Sequence, residues 1–287
     1  MKIRSWLIAF LLLYGSLTLP GGEAPSDVPR LRVVSLSPSL TEIIFQLGRG
    51  NWLVGRTSAC KYPPAVATIP VIGDYNIPSL EKLAALKPDI VVADNLKDPS
   101  IQNTLAALKI RFYLLPSHQL IDYTNNVRKL GELLHCPAAA DREILRVNQG
   151  LAALAAQRRR QAAPPRVLLI IWDNPLITCG RQSFLNDYLH YAGAENVAAG
   201  EDKAYFKCSL EWALSRNPQI VIFPGQSRDR LERMAQARGW SATDAARQHR
   251  FYGDISEDLL FTLGPRLLDG IKRLDTLIQA ESDHALP

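Results

Sequence analysis

Two carboxylates stand out by their spacing. Glu81 sits in the pattern Tyr75-x3-Ser79-Leu80-Glu81-x6-Pro88-x-Ile90-Val91. The chain repeats it as Tyr205-x3-Ser209-Leu210-Glu211-x6-Pro218-x-Ile220-Val221, every position offset by 130 residues. Ser79 and Ser209 are good N-caps, so Glu81 and Glu211 fall in a first helical turn, where the macrodipole favours an acid by about 0.3–1 kcal/mol. The acids are therefore either stabilisers of helix starts or a matched pair displayed to a partner's arginines. A matched pair on a pseudo-twofold molecule suits a symmetric dimeric receptor. A weaker echo relates Gly48-x2-Asn51-x3-Gly55 to Gly193-x2-Asn196-x3-Gly200, and the two repeats together point to duplicated lobes.

The remaining reactive residue types are sparse. Four cysteines (Cys60, Cys136, Cys179, Cys208) form no CxxC, which speaks against a zinc ribbon or a thioredoxin-like motif. The five histidines (118, 135, 190, 249, 284) are scattered. There is no GxSxG elbow, HExxH helix or GxxxxGK[ST] loop, so no enzyme frame is legible and the chain is expected not to be an enzyme. A thiol enzyme built on Cys179 and a distant histidine is the rival reading.

The N-terminus reads as a targeting segment. Lys2 and Arg4 precede the uncharged apolar run Trp6–Leu19, followed by Pro20-Gly21-Gly22-Glu23-Ala24. A basic start, a short apolar stretch and a small-residue exit describe a secretory signal peptide over residues 1–24, too short for a comfortable membrane span. Export makes one or two disulfides plausible, in any of three connectivities.

Elements must position these residues, and the chain is long enough to build them. It has 287 residues, 47% hydrophobic and 21% charged, with a net charge of +5 and one short basic run, Arg158-Arg159-Arg160. That is the composition of a globular chain of about two domains, without the basic arm of a nucleic-acid binder. Short apolar strands (Arg32–Leu36, Trp52–Gly55, Ile90–Ala93, Phe112–Leu115) alternate with helical spacing (Thr41–Leu47, Leu80–Leu86, Ile101–Leu108). Helical spacing runs from Asp122 to Arg160, broken at Cys136-Pro137, and ends at Pro164-Pro165. The alternation restarts with strands at Val167–Trp172, Ile220–Phe223 and Phe251-Tyr252 and helices at Ser183–Ala192, Arg228–Ala237 and Pro265–Ala280. The fold expected is α/β: two similar α/β lobes with central parallel sheets, joined by one long connecting helix, with a ligand cleft between the lobes. The expected boundaries are 31–136 for the N-terminal lobe, 137–162 for the connecting helix and 165–281 for the C-terminal lobe.

Several stretches carry a resemblance: RVVSLSPSLTEIIFQLG (32–48), KYPP (61–64), SLEKLAALKPDIVV (79–92), AGAENVAAG (192–200), SLEWALSRNPQIVIF (209–223) and GPRL (264–267). On these the chain resembles the periplasmic iron-complex/vitamin B12-binding family of ABC-importer substrate-binding proteins, and within it the vitamin B12-binding members. The resemblance spans about Leu31 to Ala280, so residues 31–281 together make one periplasmic-binding domain. It implies a rigid two-lobed protein, monomeric when free, that delivers a ligand to an inner-membrane permease with its ATPase. It implies no resident cofactor. By motif, Glu81 and Glu211 fall at the permease-docking positions. Tyr75 and Tyr205 fall where B12-binding relatives carry aromatics against the corrin.

The remaining site assignments rest on the same resemblance. Trp172 is expected to add aromatic surface, because Ala59 stands where many relatives have an aromatic. Ser37, Ser39 and Asp258 are expected to make polar edge contacts. Cys179 and Cys208 belong to segments expected near the cleft, and a Cys179–Cys208 disulfide is expected ahead of thiolate ligation of cobalt or iron. Haem, with an axial Tyr75 or Tyr205, and a ferric siderophore, with Arg56 and Arg181, are the alternative cargoes. Bare metal is disfavoured, because Asp258 and Asp74 are joined by no histidine expected in the cleft.

Overall fold

The computed structural model describes residues 29–280 except Asn76, Lys97 and 159–162. The expected signal peptide, the last residues of the connecting helix and Glu281 lie outside the described residues. Among the described residues no helix is long and apolar enough to cross a membrane.

The first half runs β1 (Val33–Ser35), α1 (Pro38–Gln46), β2 (Leu53–Arg56), β3 (Gly73–Asp74), β4 (Ile77–Pro78), α2 (Leu80–Ala85), β5 (Ile90–Ala93), α3 (Ser100–Ala107), β6 (Arg111–Leu114) and α4 (Leu120–Leu133). Its sheet has the order β2-β1-β5-β6 with every pair parallel. After α5 (Pro137–Arg158) the second half runs β7 (Arg166–Asp173), β8 (Leu176–Cys179), α6 (Phe184–Tyr191), β9 (Glu195–Asn196), β10 (Tyr205–Lys207), α7 (Leu210–Ser215), β11 (Ile220–Ile222), α8 (Arg228–Gln236), α9 (Asp244–Arg247), β12 (Phe251–Tyr252), α10 (Glu257–Leu260) and α11 (Leu267–Gln279). Its order is β10-β8-β7-β11-β12, with β9 also on β7.

This second sheet differs from the expectation of parallel strands alone. β9, β7, β11 and β12 pair in parallel, but β8 and β10 add an antiparallel meander on the far edge. The signal was present, since Asn174-Pro175 is a turn dipeptide between two apolar runs. The meander carries Tyr205 towards the other lobe.

The 130-residue repeat is realised as one structural unit in each half. Ser79 accepts the backbone N–H of Lys82 at 3.3 Å, and Ser209 that of Trp212 at 3.1 Å. Each helix ends on a left-handed residue, Lys87 (φ 44°) and Asn217 (φ 40°), before Pro88 and Pro218 turn the chain into a buried strand.

Burial ties the two lobes together. Parallel strands covered on both faces read as continuous apolar runs, and β5 and β11 are buried at every position. Their outer faces pack in separate clusters, with Val34, Val91 and Leu105 in one lobe and Leu168, Val221 and Phe251 in the other. Their inner faces share one cluster, in which Val33, Ile90, Val167 and Ile222 join α4, α5 and α11. α5 is held closely on both sides. A Cβ at Gly131 would come within 2.5 Å of Ala140 on α5, and one at Gly150 on α5 within 2.4 Å of Leu268 on α11. Glu143, buried on α5, accepts hydrogen bonds from Tyr123 (2.6 Å), Gln46 (2.9 Å) and Arg146 (2.7 and 2.8 Å). Arg146 also donates to the Pro265 carbonyl of the second half at 2.7 Å.

Candidate ligand-binding cleft

A partly open cleft of about 390 Å³ lies between the lobes. That is within the range of small-molecule sites, ~300–1,000 Å³. The first half contributes residues just beyond the carboxyl ends of its parallel strands: Pro38 and Ser39 after β1, Asp94 and Asn95 after β5, Ser117 and His118 after β6. This is where open α/β sheets bind ligands, because loops and helix N-termini converge there. Ala59 and Tyr75 complete that wall. The second half contributes Phe184, Ala204, Tyr205, Phe261, Thr262 and Leu263.

Tyr75 sits in the β3–β4 turn, which Ser58 pins by donating to Asp74 at 2.6 Å. Its ring is 41% exposed, and its hydroxyl donates to the Asp94 carboxylate at 3.2 and 3.3 Å. Ser37 donates to the same carboxylate at 2.7 Å. Burial pushes the Asp94 carboxyl above the usual range; hydrogen bonds from Ser37, Tyr75 and its own backbone, and the charge of His118, pull it back. Tyr205 opens β10 opposite Cys179. The residue is 43% exposed, and burial pushes its phenol up to about 12 against a hydrogen bond from Ser183.

The cleft therefore brings together Tyr75, Tyr205 and Ser39 of the residues expected from sequence. Ser39 is committed, donating to the Leu263 carbonyl of the other lobe. Ser37 lies behind the wall, buried, where it caps α1 and donates to Asp94. Trp172 pairs with Ile177, which pairs with Lys207, so it lies two register positions from Tyr205, ~7 Å along the strands. It is 58% exposed and stands outside the cleft wall, with its indole N–H on the Asn174 carbonyl. Asp258 is exposed on α10 and also lies outside the wall.

Three expectations are corrected. The Cys179–Cys208 disulfide is absent, and all four thiols are free. Tyr205 is opposite Cys179, so Cys208 is three residues farther along the ladder. That is ~10 Å, beyond the ~7 Å between Cα atoms that a bridge can span. Burial pushes the Cys179 thiol up to about 12, which leaves it a poor thiolate ligand. Arg56 and Arg181 are not cleft cations. Arg56 donates to the carbonyls of Val66, Ile69, Thr57 and Cys60 at 2.9–3.2 Å, and Arg181 pairs with Asp202 at 2.9 Å on the surface. The cleft does hold a histidine, His118.

Sequence reading missed Asp94, His118, Phe184 and Phe261. For the first two a signal existed, since each follows a parallel strand, Asp94 the buried β5 and His118 the partly exposed β6, on the side where Ser37 follows β1. Among the described wall residues there is no Lys or Arg. No group of three His, Cys, Asp or Glu side chains able to hold a metal ion occurs among the described residues.

Glu81 and Glu211 are both exposed, each two residues past its capping serine. The backbone N–H of Glu211 and the hydroxyl of Ser209 hold the Glu211 carboxyl below the usual range.

Two α/β lobes on a shared core, with an open cleft at their strand ends, define a substrate-binding protein of the transport type. Residues 33–257 match the periplasmic binding protein family (Peripla_BP_2), and the chain belongs to it. It is 28% identical over 251 residues to the uncharacterized ABC transporter substrate-binding lipoprotein YvrC of Bacillus subtilis (strain 168), covering 85% of this chain and 78% of that one. It is 24% identical to the vitamin B12-binding protein of Vibrio parahaemolyticus over 91% of each chain. Among solved structures, the apo periplasmic heme-binding protein RhuT from Roseiflexus sp. RS-1 superposes with a TM-score of 0.77 at 25% identity, over 90% of this chain and 100% of that one. The protein is thus a substrate-binding protein of the periplasmic-binding-protein family, and the relatives it matches are transport proteins rather than enzymes.

Proposed function

We propose that the cleft captures a corrinoid and delivers it to an ABC permease. One observation carries this reading: Tyr75 and Tyr205 face one cleft from opposite lobes, and the wall between them offers hydroxyl, amide and imidazole groups without a Lys or Arg. Aromatic faces suit the apolar surface of a macrocycle. A corrin edge carries neutral amides, which need hydrogen-bond partners rather than cations. Haem brings two carboxylates and a ferric siderophore a net negative charge; both call for basic partners, and Asp94 adds a carboxylate on the wrong side of that balance.

The cleft holds one part of so large a ligand, and its open side leaves the rest to project past Trp172 and Asp258 on the rim. Glu81 and Glu211 are the acids offered to permease arginines. Residues 1–24 act as a cleaved signal that sends the protein to the periplasm, where it works as a monomer. The organisation is an N-terminal lobe to residue 136, a connector to 162 and a C-terminal lobe from 165.

Calorimetric titration of the chain from residue 25 with cyanocobalamin, then with hemin, tests the reading. Saturable one-to-one cobalamin binding is the expected result. Hemin binding with no cobalamin heat would overturn the corrinoid assignment in favour of haem.

A further inference from the structure

Tyr75, Asp94 and Tyr205 on the cleft wall are each engaged by a neighbour, and the His118 ring is not. Tyr75 donates to Asp94, Asp94 also accepts from Ser37, and Tyr205 is bonded to Ser183. The His118 imidazole makes no hydrogen bond or ion pair to a described residue, although it lines the cleft. Its backbone is fixed from both lobes. The His118 N–H donates to Asp122 at 2.9 Å, and its carbonyl accepts the N–H of Phe184 from the second half at 2.7 Å. A nitrogen donor is thereby anchored at the junction of the lobes, with the Asp94 carboxylate near enough to feel its charge.

We propose that His118 is a nitrogen ligand to the cobalt of a corrinoid seated in the cleft. The inference rests on the corrinoid reading above. No three-residue metal group exists among the described residues, so the wall does not hold a bare ion. A macrocyclic complex needs none, since the ring fills the equatorial positions and one protein nitrogen suffices at an axial one. Neutral imidazole is a ligand of this kind for late first-row metals. In the exchange, the imidazole lone pair forms the Co–N bond and an axially bound water leaves. No electron is transferred, and any proton on the ring goes to solvent.

The probes are aquacobalamin, whose axial water exchanges, and cyanocobalamin, whose cyanide does not. With aquacobalamin, the native protein is expected to shift the corrin absorption bands as free imidazole does. His118→Ala is expected to bind aquacobalamin without that shift and ~10-fold or more weakly, and to lose clearly less affinity for cyanocobalamin, whose cobalt His118 cannot ligate. The substitution leaves the backbone bonds of residue 118 in place, and saturable one-to-one cyanocobalamin binding by the variant reports an intact cleft. Aquacobalamin bound by the native protein with unshifted bands would overturn the ligation alone. Binding of neither cobalamin would overturn the corrinoid reading, and this inference with it.

Discussion

Arg266 and Glu42 meet across the two lobes in a two-point ion pair, Nη2 to Oε1 at 2.5 Å and Nε to Oε2 at 3.0 Å. Arg266 is stacked on the Tyr62 ring, 4.0 Å from its centroid, and Glu42 is 4% exposed. The pair lies beside the loop that supplies Leu263 and Thr262 to the cleft, so it fixes the spacing of the walls. Burial raises the Glu42 carboxyl above its ordinary 4.5, and Arg266 opposes that rise.

Arg266→Met should therefore be strongly destabilising, by about 3–5 kcal/mol, because it strands a buried carboxylate. Glu42→Gln should cost less, since Arg266 keeps a route to solvent. A group with a raised folded pKa loses its stabilising contribution as pH rises through that value. The Arg266→Met deficit should thus grow on going from about pH 4.5 to neutral, as urea unfolding would read. A deficit independent of pH would show that the lost charge pairing is not its cause.

Asp94 follows the same sign. Its pKa is raised from 3.8 chiefly by burial, so the folded protein holds that proton more tightly than the unfolded chain. Ionisation then costs stability as pH rises. Asp94→Asn removes the titration, and the melting temperature of the variant minus that of the native protein should increase between about pH 4 and pH 7. A difference that stays flat or falls would mean the carboxylate is better stabilised by Ser37 and Tyr75 than its burial implies.

The two tyrosines should dominate ligand affinity. Tyr75→Ala and Tyr205→Ala should each weaken cyanocobalamin binding ~10-fold or more, about 1.4 kcal/mol. Trp172→Ala, on the rim, should cost only about two- to threefold, because a rim contact stays solvated. Calorimetry on the three variants gives the order, and a larger loss at Trp172 would move the binding surface out to the β7–β8 hairpin.

The thiols give a direct check on the β8–β10 register. Cys208, half-buried, should react with an aromatic disulfide reagent before Cys179, which is fully buried. Peptide mapping of the purified protein should recover both as free thiols, and Cys208→Ser should bind ligand normally. A Cys179–Cys208 cross-linked peptide is incompatible with Tyr205 standing opposite Cys179.

Charge reversal at the repeated acids separates delivery from capture. Glu81→Lys with Glu211→Lys should abolish transport in cells and leave the dissociation constant unchanged. Both side chains are exposed helix-start residues, far from any packing role. Uptake persisting in the double variant would return them to the helix-stabilising role that their capping serines allow.

The sequence by itself determined the units of this fold. Buried parallel strands announce themselves as apolar runs, as at Ile90–Ala93. Caps announce themselves as Ser followed by an acid, and a repeat at 130 residues betrays two lobes, because each of these is written in local spacing. Tyr75 and Tyr205 belong to that repeat, and the resemblance singled out the two positions that line the cleft. What local spacing cannot carry is which residues from separate strand ends converge. Asp94 and His118 look like ordinary loop residues until β5 and β6 lie side by side. Arg56 reads as a free cation until its carbonyl partners fold around it, and Cys179 reads as Cys208's partner until the register sets them apart. Those outcomes depend on pairings between segments distant in the chain, and only the tertiary structure decided them.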